Sequence, residues 1–191
     1  MPPHQQGKHM TRALLIVDIQ NDYFTGGKME LEGSEAASLR AGALLAAFRE
    51  RRMPVIHVQH VSTRPGASFF LPDTDGVRIH TNVAPVGQET VIQKHFPNSF
   101  RDTSLLDHLR KNAIDELVIA GMMTHMCVDA TTRAAWDFGF RCFLAHDACA
   151  TRALSFDMTK IPADHVHGSF VAALSGTYAT VASASELAAS V

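Results

Sequence analysis

Apolar residues along this chain follow two rhythms that alternate. Ala13 to Ile19 is an almost unbroken apolar run, rich in β-branched side chains and interrupted by one acid, Asp18. Such a run suits a strand covered on both faces, as in a parallel sheet. The period then changes. Leu39, Ala43, Leu44, Ala47 and Phe48 recur at helical spacing, which predicts a helix capped by Ser34 and running through Arg52. Pro54 ends it, and Val55 to Val61 reads as a second strand. Val61 to Glu89 is a long stretch rich in Pro, Gly, Asp and Thr, and connections of that length are usually functional loops or lids. A short third strand is predicted at Thr90 to Gln93, then a helix over Asp102 to Asn112 carried by Leu105, Leu106 and Leu109. Glu116 to Gly121 reads as a fourth strand, followed at once by a helix from Cys127 to Phe138. Phe140 to Ala145 is a fifth strand, Pro162 opens a helix to about Leu174, Thr177 to Val181 is a last strand, and Ser183 to Ala189 a closing helix.

Strands alternating with helices at this spacing indicate βαβ units with right-handed crossovers around a parallel sheet, hence an α/β fold. No repeat and no second composition regime interrupts residues 11–191, so one domain is expected there. Residues 1–10 are polar, lack the apolar stretch of a secretory signal, and are expected to form a flexible tail. In such sheets ligands bind beyond the carboxyl ends of the strands.

Composition narrows the function classes. At 191 residues and 46% hydrophobic the chain can build one substantial core. The net charge of −2, with no basic stripe interleaved with aromatics, disfavours nucleic acid. No stretch is long and apolar enough to span a bilayer. Three cysteines, Cys127, Cys142 and Cys149, are too few and too odd for a disulfide scaffold and point to a reducing, cytoplasmic setting. The expected partner is a small-molecule substrate, with no nucleic acid and no membrane.

Three residues at predicted strand ends carry chemistry. Asp18 is an acid in an apolar strand, costly to bury unless a cation pairs with it; otherwise it reaches solvent or caps a loop. Lys94 follows the third strand, where a lysine is ordinarily solvated, yet that strand end faces the same rim. Cys127 precedes a helix, where free N–H groups and the helix dipole favour thiolate. A packed, inert cysteine is the common alternative, and it fits Cys142 and Cys149. Together the three make a complete set. Cys127 attacks a carbonyl carbon, Asp18 moves the protons, and Lys94 holds Asp18 ionised and lowers the thiol pKa.

At LLIVDIQNDYF, VIQKHFPNSF and LVIAGMMTHMCVDATTRAAWDFGF, with HDACA following, the chain resembles the isochorismatase-like cysteine hydrolases, a family that includes nicotinamidases and N-carbamoylsarcosine amidase. The resemblance runs from Thr11 onward and includes Gly121, Thr124, Cys127 and Val128 in a G-x-x-T-x-x-C-V pattern. It implies a catalytic triad of Asp18, Lys94 and Cys127. It also implies a cis peptide between Met122 and Met123, and an oxyanion site made by the backbone N–H groups of Met123 and Cys127. The implied fold is a three-layer α/β/α, Rossmann-like domain with a six-stranded parallel sheet and helices on both faces, assembling as a homo-oligomer, a dimer or tetramer. The implied reaction is hydrolysis of a C–N bond in an amide, carbamoyl or ureido compound through a thioester.

Two departures refine this. Nicotinamidases carry a metal held by an Asp and two His after the second strand, whereas VIHVQHVSTRPG offers His57 and His60 and no acid. Two histidines three apart in a strand point to opposite faces. No metal and no cofactor are expected, and the reading goes against nicotinamidase. Isochorismatases proper, which cleave a vinyl ether, lack the nucleophilic cysteine, so Cys127 favours C–N hydrolysis over vinyl-ether or ester hydrolysis; a redox-sensing, non-catalytic protein on the same fold is the remaining rival. Phe24, Phe69, Phe70 and His125 either line the substrate pocket or simply pack. Gln20 and Asn21 either orient Asp18 or serve a turn. Arg64 and Arg78 either meet a substrate carboxylate or stay solvated. Trp136, His165 and His167 read as structural.

Overall fold

A computed structural model describes residues 10–191, so nearly all of the expected tail lies outside the described residues. Eight strands and five α-helices are described: β1 (Thr11–Val17), α1 (Ser34–Glu50), β2 (Val55–His60), β3 (Thr90–Lys94), α2 (Leu105–Lys111), β4 (Ile114–Met122), α3 (Asp129–Asp137), β5 (Arg141–Ala150), β6 (Leu154–Phe156), β7 (Thr159–Ile161), α4 (Ala163–Leu174), β8 (Thr180–Ala182) and α5 (Ala184–Ala189). Six strands form one parallel sheet in the order β3-β2-β1-β4-β5-β8.

The sheet is covered on both sides because its central strands alternate between two cores. Leu14 and Ile16 of β1, with Val118, Ala120 and Met122 of β4, face a core shared with Ala41, Leu44 and Phe48 of α1. Ala13, Leu15 and Val17, with Leu117 and Ile119, face the other, shared with Leu105 and Leu109 of α2 and Ala135 of α3. The result is the expected three-layer α/β/α arrangement. Among the described residues no helix is long and apolar enough to cross a membrane.

Several boundaries differ from the expected ones. β1 stops at Val17, and Asp18 lies just past it with a left-handed φ of 51°. Ser34 is the first residue of α1 rather than its cap; Gly33, at φ 76°, holds the cap position. Cys127 lies inside a π-type turn, Thr124–Val128, that runs directly into α3. β5 continues beyond Ala145 to Ala150, its pairing with β4 shifting register between Ile119 and Gly121. The last strand begins at Thr180, and Ser183 caps α5 through a reciprocal capping box with Glu186. The antiparallel pair β6–β7 was not expected.

The order of strands places the site. The chain steps outward from β1 to β2 and β3, then returns to build β4 on the other flank of β1, which makes the β1–β4 boundary a topological switch point. Gly121 pairs with Val17 across that boundary. At φ 147° a side chain there is strained, and a Cβ would meet the Val17 carbonyl oxygen at 2.1 Å. Glycine in the motif therefore lets β4 pass the backbone that leads into Asp18.

Candidate active site

Asp18, Lys94 and Cys127 come from three elements and meet at the carboxyl edge of the sheet. Lys94 Nζ lies 2.6 Å from Asp18 Oδ2 and donates to Cys127 Sγ at 3.2 Å. Asp18 and Lys94 are fully buried and Cys127 nearly so. The Asp18 oxygens draw on the Lys94 ammonium and more weakly on Cys127 and the His60 N–H, none of them in strong hydrogen-bonding geometry. A buried carboxylate with so few good donors is an unspent proton acceptor.

The electrostatics of the three are unequal. Burial raises the Asp18 pKa, against the pull of the Lys94 charge and its hydrogen bond. For Lys94, burial pulls the pKa down, but the charges of Asp18 and Cys127 outweigh it and hold the ammonium. Burial, then the Asp18 charge, pushes the Cys127 thiol well up, and Lys94 only partly opposes this. The sequence reading had the lysine and the helix start favouring thiolate. The cavity wall reverses that balance, because desolvation of sulfur exceeds what one ammonium returns. Burial thus works against thiolate at Cys127, and Asp18 lies within reach of the sulfur.

His57 and His60 belong to separate networks on opposite faces of β2. His57 Nε2 pairs with Glu89 Oε2 at 2.8 Å, and Glu89 takes two further bonds from Arg49, at 2.7 and 2.8 Å. His60 Nδ1 lies 2.9 Å from Lys94 Nζ. The two histidines thus form no common ligand set of the nicotinamidase kind. Asp18, His60 and Cys127 do bring a carboxylate oxygen, a ring nitrogen and a sulfur within 4.8 Å of one another. The Lys94 ammonium sits among them, so the cluster is assembled around the protein's own cation.

A cavity of about 300 Å³ opens onto Cys127, walled by Tyr23, Phe69, Phe70, Phe96, Met123 and Met126, with His60, Ser62 and Arg64 as polar members. Phe69 and Phe70, from the long loop, both line it. Phe24 does not: it stacks on His80 with ring centres 3.6 Å apart, beside a separate surface depression. His125 also lies off the cavity, with Nδ1 2.5 Å from Thr151 Oγ1 and its ring edge-on to Phe170. Arg78 pairs with Asp75 at the surface, and Asn21 bonds Asp75 as well. Trp136 packs on Tyr178, and His167 Nδ1 meets Thr124 Oγ1 at 3.0 Å. The Met122–Met123 peptide is cis.

Supporting residues emerge that strand patterns do not reveal. Gln20, fully buried, donates to the carbonyls of His60 and Val77 and accepts from the His60 N–H, at 2.9, 2.7 and 2.7 Å. Asp22 accepts from the N–H groups of Phe70, at 2.6 Å, and Lys28, at 3.1 Å, which ties the aromatic loop to the segment after β1. Gly76 packs against that carboxyl so closely that a Cβ would lie 2.2 Å from it. The signal available was the polar run Gln20-Asn21-Asp22 set between apolar Ile19 and Tyr23.

Comparison with known proteins places this geometry. The isochorismatase domain model matches residues 12–174. The isochorismatase family protein YddQ of Bacillus subtilis (strain 168), itself uncharacterised, is 52% identical over 90% of this chain and 96% of its own length. A solved structure from Oleispira antarctica, titled as an isochorismatase hydrolase, superposes with a TM-score of 0.91 at 52% identity, covering 95% of this chain and 98% of that one. A streptothricin hydrolase of Streptomyces noursei is 36% identical over 73% of this chain and 50% of its own length.

Proposed function

This chain belongs to the isochorismatase family of hydrolases, and from that premise we propose that it cleaves the C–N bond of a small amide, carbamoyl or ureido compound, with Cys127 as nucleophile. The observation that carries this reading is the Lys94 ammonium held between the Asp18 carboxylate and the Cys127 sulfur at the wall of an apolar cavity.

Asp18 takes the proton from Cys127 Sγ, and the sulfur attacks the substrate carbonyl carbon. The N–H groups of Met123 and Cys127, both at the cavity wall, receive the oxyanion; donors of this kind contribute about 3–4 kcal/mol each. Asp18 returns the proton to the leaving nitrogen, the C–N bond breaks, and an amine departs from a thioester on Cys127. Water then attacks the thioester, Asp18 accepts its proton and passes it back to sulfur, and the acid is released. The raised pKa of Asp18 suits this traffic, since a carboxyl above its ordinary range is a stronger base and a ready donor. Lys94 keeps its charge throughout and balances whichever neighbour is anionic.

Vinyl-ether cleavage needs no nucleophile beside the carboxyl, so the sulfur within reach of Asp18 favours the thioester route. Turnover across a panel of primary amides and N-carbamoyl compounds tests the reading. Cys127→Ala is expected to abolish hydrolysis of whichever compound the wild type turns over, with thermal melting unchanged. Wild-type turnover by the Ala variant would remove the nucleophile from the account.

A further inference from the structure

The triad contains a fourth member by geometry. A buried ammonium has three protons to place, and here four groups compete for them: Asp18 on one side, Cys127 on another, the Phe96 carbonyl at 3.1 Å and His60 Nδ1 at 2.9 Å. Because an ammonium has no lone pair, Nδ1 must be the acceptor in that contact. The imidazole is then neutral with its proton on Nε2. Its surroundings agree: burial, followed by the Lys94 charge, lowers the His60 pKa to about 3.

His60 is also held in place. Its Cα is the register partner of Lys94 in the β2–β3 pairing. Gln20 binds its backbone N–H and carbonyl together, and its ring leans on Phe70 with centres 5.9 Å apart. The ring lines the cavity, and no protein group among the described residues takes up Nε2.

We propose that His60 is a positioning residue: its Nδ1 anchors the Lys94 ammonium between Asp18 and Cys127, and its Nε2–H faces the cavity as a fixed neutral donor for an acceptor atom on the substrate. This rests on Cys127 being the nucleophile. It gives the substrate class a further property, a hydrogen-bond acceptor beside a flat apolar body that suits the aromatic wall.

The full-length protein is treated with iodoacetamide, and alkylation of each cysteine is followed by peptide mass spectrometry. His60→Leu removes the acceptor for Lys94, whereas His60→Asn keeps one near the position of Nδ1. Alkylation of Cys127 is expected to slow by roughly tenfold or more in the Leu variant, the scale of one hydrogen bond to a charged group, and to return most of the way in the Asn variant. A Leu variant that melts like wild type and alkylates at the wild-type rate would overturn the proposal. If that variant does not fold, the wild-type tautomer decides, from long-range proton–nitrogen correlations of ¹⁵N-histidine-labelled protein. A bare Nδ1 with a protonated Nε2 is expected, and a proton on Nδ1 would overturn the proposal. Separately, a wild-type Cys127 no more reactive than Cys142 and Cys149 would remove the nucleophile reading, and this proposal with it.

Discussion

Two charge clusters flank β2, one half-buried and one buried, and they are built to opposite ends. Around His57, Glu89 receives a bidentate guanidinium from Arg49, a ring nitrogen and the Val86 N–H. Those partners, Arg49 first, hold the Glu89 pKa down at about 2 despite burial. Around His60, Asp18 has one cation and no well-formed hydrogen bond, and burial drives its pKa up. Both are carboxylates paired with a cation beside a histidine. The difference is how many donors each oxygen is given. A carboxylate saturated with donors is locked as an anion; one with few good donors in a dry site keeps its affinity for a proton and can move one.

This contrast breaks most visibly at Lys94. Lys94→Met leaves Asp18 buried and unpaired, and a loss of about 3–5 kcal/mol in denaturant-monitored stability is expected. Adding Asp18→Asn to make the double variant should recover most of that loss while leaving the enzyme inactive. A double variant as unstable as the single one would mean that the pair is structural in the way the Glu89 cluster is.

Glu89→Gln is the converse case. It should cost about 1–2 kcal/mol, as for a charge-assisted hydrogen bond at a partly wet site, and leave Cys127 alkylation unchanged. With its pKa depressed, Glu89 contributes fully above its ordinary value of 4.5, and that contribution disappears as pH falls toward 2. Acid titration of stability should therefore be flatter between those limits in the Gln variant. An unaltered acid limb would contradict the assignment. At the bottom of the scale, the exposed Arg78–Asp75 pair should be worth less than about 0.5 kcal/mol, so Arg78→Ala should melt with the wild type.

The fold and the meeting of Asp18, Lys94 and Cys127 were legible because both depend on local pattern. Apolar runs mark the strands, chemistry-bearing residues sit at their carboxyl ends, and the G-x-x-T-x-x-C-V stretch carries a glycine that the packing of β4 on β1 requires. What was hidden depends on register and loop path. His60 acquires its role only because it pairs with Lys94 across β2 and β3. Phe24 leaves the cavity because the 3₁₀ turn Asn21–Tyr23 directs it to His80 while Tyr23 turns inward. The β6–β7 hairpin escaped because its turn, Asp157–Met158, adopts positive φ without the glycine or asparagine that announces one. The direction of the thiol shift escaped for a third reason: desolvation is a property of the finished cavity and has no signature in a motif.

In the proposed reaction the sulfur of Cys127, buried beside Asp18 and Lys94, is covalently acylated during turnover. Rapid acid quenching of wild-type protein mixed with a hydrolysed amide, followed by peptide mass spectrometry, measures this directly. The account predicts that the Cys127 peptide alone gains the mass of the substrate acyl group less one hydrogen, and that Asp18→Asn lowers that yield. Turnover with no acyl adduct on Cys127 at any quench time, and product formed at the same rate by Cys127→Ala, would contradict it.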